Sequence, residues 1–164
     1  MAEASSWALR MATLDDAATV ARHRAEMFIE MHTLSAAVAG RMHEATERYV
    51  RTALTRGEYV GWLAHALGSP GTVVAGAGLQ RRPMLPRPSH DGTEVLEGLE
   101  GLVLNVFVDA AWRRRGIAEA LMRAILAWAP EQGIVRLVLH ASDAGRPLYE
   151  RMGFIPTNEM RWPG

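Results

Sequence analysis

The chain has 164 residues, of which 49% are hydrophobic and 22% charged, and its 18 basic and 18 acidic residues leave a formal net charge of +0. This composition excludes a disordered chain, and the balanced charge gives no indication of binding to nucleic acid or to a membrane surface. With no cysteine in the chain, disulfides, thiolate metal sites and cysteine nucleophiles are excluded, and we expect a single cytoplasmic domain over residues 1–164 without a signal peptide or membrane span.

Hydrophobic periodicity predicts regular elements along most of the chain. The first helix is expected to begin after Thr13, because Thr13 and Asp16 have the spacing of a capping box. Residues 81–94 contain three prolines and no periodicity, which predicts an irregular loop of the kind that often borders a functional site. The predicted elements are, in chain order, a strand at 7–12, helices at 14–31 and 35–56, strands at 59–67, 72–80 and 102–108, a helix at 115–129, a strand at 134–141, a short helix at 145–154 and a last strand at 157–162.

The segment DAAWRRRGIAEALM, residues 109–122, concentrates positive charge between a predicted strand and a predicted helix. The first N–H groups of a helix have no partner inside the helix, so they form an anion site. Gly116 and the small Ala118 leave room for a ligand to approach the backbone, and the arginines at 113–115 add charge. The pattern favours a small phosphate-bearing ligand, although on spacing alone a solvated basic turn before an amphipathic helix fits equally well.

The wider segment NVFVDAAWRRRGIAEALM resembles motif A of the GNAT superfamily of acyl-CoA N-acyltransferases. The core of that motif is Gln or Arg, two residues, Gly, one residue, then Gly or Ala, which corresponds here to Arg113, Gly116 and Ala118. The later segment SDAGRPLYERMGF resembles motif B of the same superfamily through Tyr149, which precedes Gly-Phe. Two departures from motif B, Ser142 for the usual Asn and Gly145 for the usual Ala, leave the contact made by that Asn unassigned.

The resemblance implies an α/β (α+β) fold with a mixed, mainly antiparallel central sheet of about six to seven strands and about four flanking helices. It also implies that the strand at 102–108 bulges and separates from the next strand, so that the pantetheine arm of acetyl-CoA inserts between them. The pyrophosphate is expected on the amides of residues 113–118. The implied donor-binding residues are Val106, Phe107, Val108, Arg113, Arg114, Arg115, Gly116, Ile117, Ala118 and Ser142.

The resemblance further implies N-acetyl transfer to a primary amine, with Tyr149 as the general acid. A phenol with a pKa of about 10 can protonate a thiolate whose thiol has a pKa of about 8.5 if the site places it beside the sulfur. No general base stands out, and water is an alternative to the side chains considered, which are Glu26, Glu94, Glu97, Glu100, Asn105 and His140.

The expected acceptor is a small-molecule amine, with a peptide N-terminus or side chain as the less favoured option. Its pocket is implied between the first two helices, the loop before the strand at 102–108 and the C-terminal residues, and Glu26 and Glu159 would attract an ammonium group. The predicted acceptor-binding residues are Glu26, Phe28, Asn105 and Glu159. The histidines lack ligand spacing, so no metal is expected.

Two further expectations concern activity and assembly. A non-catalytic acyl-CoA-binding sensor would keep the phosphate loop, and it is the alternative to an enzyme. The predicted last strand would expose an unpaired sheet edge near Met160 and Trp162, and pairing of this edge in a homodimer would cover it.

Overall fold

A computed structural model describes residues 6–69 and 71–164. These described residues form two sheets, one of five strands and one of two. Residues 1–5 of the predicted domain and Pro70 of the predicted turn lie outside the described residues. The strands are, in chain order, β1 (Trp7–Met11), β2 (Tyr59–Ala66), β3 (Val73–Pro83), β4 (Arg87–Pro88), β5 (Val95–Leu96), β6 (Leu99–Val108) and β7 (Ile134–Leu139). The helices are α1 (Ala17–Glu30), α2 (Ala36–Thr55), α3 (Ile117–Trp128) and α4 (Arg146–Arg151).

The five-stranded sheet has the spatial order β1-β2-β3-β6-β7. All neighbouring strands are antiparallel except β6 and β7, which are parallel. Helices α1 and α2 pack on one face, in a cluster that includes Val20, Val50 and Leu63. Helix α3 packs in a second cluster through Leu121 and Ile125. Strands β2 and β3 are buried along most of their length, as expected for a sheet that helices cover on both faces. The mixed, mainly antiparallel fold with four helices is therefore confirmed.

The predicted start of the first helix is also confirmed. The main-chain N–H of Thr13 donates to the carboxylate of Asp16 at 2.8 Å, and a 3-10 turn at Leu14–Asp16 leads into α1. Arg10 binds the same carboxylate with both terminal nitrogens at 2.7 Å, and this contact is the main cause that lowers the pKa of Asp16 to about 2. The strand β1 is thereby attached to the beginning of α1.

Two predictions about the strands are wrong. The predicted loop at 81–94 instead contains the end of β3 and most of a hairpin formed by β4 and β5. Asp91 organises the turn of this hairpin, because its carboxylate accepts hydrogen bonds from the Ser89 hydroxyl at 2.6 Å and from the Thr93 N–H at 3.1 Å. The predicted last strand at 157–162 is absent from the described residues, which have no helix or strand after α4. Met160 and Trp162 are 93% and 87% exposed, so this segment buries too little apolar surface to hold a strand on the sheet.

The central sheet accordingly has five strands instead of six or seven, and β7 forms its edge. The proposed reason for a homodimer, an exposed edge of the last strand, no longer applies. The homodimer itself stays a prediction.

Candidate functional site

Strand β6 separates from β7 halfway along its length. The parallel pairing runs from Leu99, opposite Ile134, to Val103, opposite Leu139. On its other side β6 remains paired with β3 as far as Val108. The main-chain groups of residues 104–108 that point away from β3 therefore have no neighbouring strand among the described residues. An extended ligand can pair with such groups as an added strand would.

A bulge lies at the point of separation. Gly78 faces Leu104 and Gly76 faces Phe107, so β3 has one residue where β6 has two. Asn105 adopts a left-handed conformation with φ 56°, which is uncommon for a residue with a side chain. Leu104 packs in the α1/α2 cluster, and the side chain of Asn105 also contacts α1. The bulge and the separation of the strands, both implied by the resemblance, are thus present in the structure.

The residues between β6 and α3 form a cradle of main-chain N–H groups. A 3-10 turn at Ala110–Trp112 is followed by left-handed conformations at Arg114 and Gly116, with φ 63° and 76°. Among the described residues, none accepts a hydrogen bond from the N–H groups of residues 114–119. A Cβ at Gly116 would meet no atom within 4 Å, so the space beside it is open. The cradle and the positive end of the α3 dipole together suit a phosphate group.

The three arginines of this turn have different surroundings. Arg113 donates to both carboxylate oxygens of Glu30 at 2.7 and 2.8 Å, and its Nε donates to the carbonyl of Val108 at 3.0 Å. Arg115 lies over the ring of Trp112, 4.8 Å from the centroid. Within the described part of the chain, the side chain of Arg114 has no hydrogen-bond partner. Arg114 is therefore the arginine that is most available to a ligand, whereas Arg113 attaches the turn to the end of α1.

The predicted strand residues alternate between the two faces of the sheet. Val106 and Val108 pack on the α3 side. Phe107 is buried on the α1 side, and its ring centroid lies 5.0 Å from that of His23. Burial lowers the pKa of His23 to about 4, with a further lowering by Arg22, whose Nη2 lies 2.9 Å from the imidazole Nε2. His23 is therefore a neutral residue of the core, and the sequence patterns did not single it out for this role.

Helix α4 positions Tyr149 and gives Ser142 a clear structural role. The main-chain carbonyl of Ser142 accepts from the N–H of Gly145 and Arg146 at 3.1 and 2.9 Å, which starts α4. A Cβ at Gly145 would lie 2.9 Å from the ring of Tyr149, so glycine allows the ring to approach. The Tyr149 hydroxyl has no hydrogen-bond partner among the described residues, and burial raises the pKa of this phenol. This phenol is therefore protonated, and because its pKa is raised it can protonate a thiolate only if the site places the sulfur beside it.

Three of the five carboxylates considered as bases or ammonium-binding groups already have a basic side chain as partner. Glu26 lies 2.9 Å from Arg22, and Glu159 lies 2.6 Å from the Nε2 of His140. Glu100 is buried between Arg82 and Arg136 in the half of β6 that pairs with β7. Glu94 and Glu97 lie exposed at and after the β4–β5 hairpin. The structure thus singles out none of these carboxylates as the general base, and water stays an alternative.

One charged residue near the bulge was missed in the sequence. Arg24 donates to the side-chain oxygen of Asn105 at 2.6 Å, and its guanidinium lies over the ring of Phe28, 4.8 Å from the centroid. The predicted acceptor-binding residues Phe28 and Asn105 are thus brought together, with Arg24 between them. The spacing of Val20, Arg24 and Phe28, each four residues apart, places them on one face of α1 and was the available signal.

Comparison with known proteins identifies the family. Residues 15–154 match the acetyltransferase (GNAT) family, and the chain belongs to this family. The chain is similar over 96% of its length, with 38% identity and a TM-score of 0.83, to the crystal structure of a GCN5-related N-acetyltransferase from Ralstonia eutropha JMP134, of which 97% is covered. A predicted acetyltransferase from Clostridium acetobutylicum, whose crystal structure was determined with acetyl-CoA, has the same fold, with 22% identity, a TM-score of 0.78 and 96% of each chain covered.

A curated relative matches a shorter segment. The human protein N-acetyltransferase 8 is 37% identical over 60 residues, which cover 35% of this chain and 26% of that protein. Within the described residues, no helix is long and apolar enough to cross a membrane. Nor do three or more His, Asp or Glu side chains come together there as a metal site requires.

Proposed function

We propose that the protein is an acetyl-CoA-dependent N-acetyltransferase that acetylates a primary amine of a small molecule. The observation that supports this most directly is the juxtaposition of the open half of β6 with the N–H cradle before α3. An extended pantetheine arm needs free backbone groups along one strand, and a pyrophosphate needs convergent N–H donors at the end of that strand. The open half of β6 and the N–H cradle follow each other along the chain as the pantetheine arm and the pyrophosphate follow each other in acetyl-CoA.

The donor supplies a thioester, and the protein supplies its placement. The main-chain groups of residues 106–108 would pair with the pantetheine arm, and Arg114 would add charge at the edge of the pyrophosphate site. A main-chain N–H near Val106 and Phe107, re-aimed by the bulge, would donate to the thioester oxygen as negative charge develops on it. Ser142, at the position of the usual Asn, is the remaining proposed contact.

The reaction proceeds in a ternary complex. The neutral amine attacks the thioester carbon, the new C–N bond forms and the C–S bond breaks. The Tyr149 hydroxyl gives its proton to the departing sulfur, the surplus proton of the amine passes to water, and the Tyr149 phenolate regains a proton from the solvent. The half-buried phenol without a hydrogen-bond partner is suited to this donation, because no competing acceptor in the described residues holds its proton.

The test is acetyl-CoA binding followed by turnover. We expect calorimetry to show binding at sub-millimolar acetyl-CoA, and CoA to compete for the site. A screen of primary amines should then release thiol in proportion to acetylated amine. Absence of binding would overturn the assigned donor site. Binding without thiol release from any amine would instead favour a non-catalytic acyl-CoA sensor.

We expect the enzyme to be located in the cytoplasm. We also propose that it forms a homodimer. Light scattering after gel filtration at micromolar concentration should give about twice the chain mass of 18.0 kDa. A mass equal to that of one chain would contradict the dimer.

A further inference from the structure

Arg24 lies beside the point where β6 bulges and, among the described residues, has no carboxylate partner. Its guanidinium is held between the ring of Phe28 and the side-chain oxygen of Asn105. A guanidinium has five N–H groups, and in the described residues Asn105 is the acceptor for one of them. No Asp or Glu of the described chain lies within salt-bridge distance of it.

Two neighbouring arginines, by contrast, have carboxylate partners. Arg22, two residues earlier on α1, is paired with Glu26 at 2.9 Å and with Asp109 at 3.4 Å. Arg113 is paired with Glu30 at the end of the same helix. The acidic side chains of α1 are therefore already bound to other arginines, and none is left to neutralise Arg24.

Two tyrosines, Tyr59 and Tyr49, also lie near Arg24. Burial raises the pKa of Tyr59 to about 12, and the hydroxyl of Tyr49 accepts a hydrogen bond from Gln80 at 2.6 Å. Burial also lowers the pKa of Arg24 from its ordinary value, but a guanidinium remains protonated in proteins. A partly buried cation with one hydrogen bond and no counter-charge is costly by itself, and an anionic ligand would offset that cost.

We propose that the acceptor of this enzyme bears an anionic group, a carboxylate or a phosphate, in addition to its amine, and that Arg24 binds this group beside the Asn105 bulge. The inference rests on the proposed function and specifies its substrate class. The planar guanidinium offers parallel N–H donors that match the oxygens of either anion. This replaces the expectation that Glu26 and Glu159 attract the acceptor through its ammonium group.

Matched pairs of acceptors test the inference. In the carboxylate arm, β-alanine is compared with β-alaninamide, and in the phosphate arm, O-phosphoethanolamine is compared with ethanolamine. The ratio of kcat/KM within each pair, expressed per concentration of free amine, measures the preference for the anion. We expect the wild-type enzyme to prefer the anionic member by at least about 10-fold in one arm, which also identifies the anion.

Three variants assign that preference to Arg24. Arg24→Gln should lower kcat/KM for the anionic member by about 10- to 100-fold, mainly through KM. The kcat/KM for the neutral member should stay within about 3-fold of the wild-type value. Arg24→Lys keeps the charge and should retain part of the preference. Arg123→Gln removes an equal charge from the opposite face of the sheet, where Arg123 is 70% exposed and paired with Glu119, and should leave the ratio unchanged.

The outcomes separate this inference from the proposed function. An equal or higher kcat/KM for the neutral members in the wild-type enzyme would overturn the inference while confirming acetyl transfer. An unchanged ratio in a folded Arg24→Gln protein that still binds acetyl-CoA would do the same. If Arg24→Gln does not fold, the wild-type ratios decide. Failure of acetyl-CoA to bind would overturn both proposals.

Discussion

The two halves of β6 perform different tasks with the same backbone. Residues 99–103 pair with β3 on one side and β7 on the other, and the buried Glu100 is held there by Arg82 and Arg136. Residues 104–108 pair with β3 alone. This half begins with the bulge at Asn105, and no strand of the described residues pairs with its other side. The first half satisfies its polar groups within the protein, and the second leaves them for a ligand.

The difference shows where the fold tolerates change. Gly101 lies in the closed half, where a Cβ would come within 2.7 Å of Leu137 and 2.9 Å of Leu79. Gly116 lies beyond the open half, where a Cβ would meet nothing within 4 Å. A glycine is required by packing in the first case and by backbone conformation and ligand access in the second. Mutations in the closed half should therefore affect stability, and mutations around the open half should affect binding and turnover.

The largest effect is expected from Gly116→Asp. The carboxylate would face the pyrophosphate and occupy the cradle, so acetyl-CoA affinity should fall by about 10³-fold or more in calorimetry. Gly133→Asp is the matched control, because Gly133 has a similar φ of 70° and open space around its Cβ position but lies beyond the other end of α3. Equal affinity in the two variants would contradict the location of the cradle.

Tyr149→Phe tests the chemistry of the open half. The ring and its packing against Phe154 are kept and the proton donor is removed, so kcat should fall by about 100-fold while acetyl-CoA affinity stays the same. Steady-state kinetics between pH 6 and pH 10, together with calorimetry, would measure both. A fall in melting temperature without a change in kcat would show that the hydroxyl has a structural role alone.

The pH dependence of stability tests the packing of α1 on the open half. The pKa of His23 is about 4 in the folded protein and 6.5 in the unfolded reference, so below pH 6.5 the unfolded state binds more protons. The free energy of unfolding should therefore fall as the pH drops from 6.5 towards 4, by about 2 kcal/mol between pH 7 and pH 5. Urea unfolding at both values would measure this, and His23→Gln should lower the dependence. The same slope in the variant would exclude His23 as its source.

Glu100→Gln tests the closed half and should have a smaller effect than the three changes above. It leaves Arg82 and Arg136 without their shared carboxylate, but both arginines are partly exposed, so we expect a loss of about 1 kcal/mol in unfolding free energy. Glu119→Gln, which removes the partner of the exposed Arg123, should cost less. Thermal unfolding gives the comparison, and acetyl-CoA affinity should not change. Reduced affinity at full stability would show that the two halves are not independent.

The geometry of the proposed donor side could be predicted from the sequence because its signals are local. The strand, the arginine-rich turn, Gly116 and the amphipathic helix follow one another within about twenty residues, and backbone conformation determines most of the cradle. The general arrangement of helices and strands was equally accessible, because the buried faces of α3 and of β2 leave clear patterns in the sequence.

The acceptor side depends on contacts between distant residues. Arg24 and Asn105 are separated by 81 positions, and Arg113 and Glu30 by 83. The spacing of four residues between Arg22 and Glu26 on α1 indicates their ion pair, but nothing in the sequence indicates that Arg24 has no carboxylate partner among the described residues. The last strand was predicted from a short run of residues, in which the exposed Met160 and Trp162 are equally compatible with irregular chain. The β4–β5 hairpin was missed because it depends on side-chain hydrogen bonds to Asp91, which periodicity does not detect.

The attachment of α1 to the segment after β6 limits how this enzyme can be re-engineered. Arg22 reaches Asp109 and Glu30 reaches Arg113, so the helix with Arg24 is joined twice to the turn before α3. A chimaera that imports α1 from a relative with different acceptor preference would leave Asp109 and Arg113 without their partners. Exchanging α1 together with residues 109–113 keeps both ion pairs, so these two stretches form the smallest unit that can be transplanted as one.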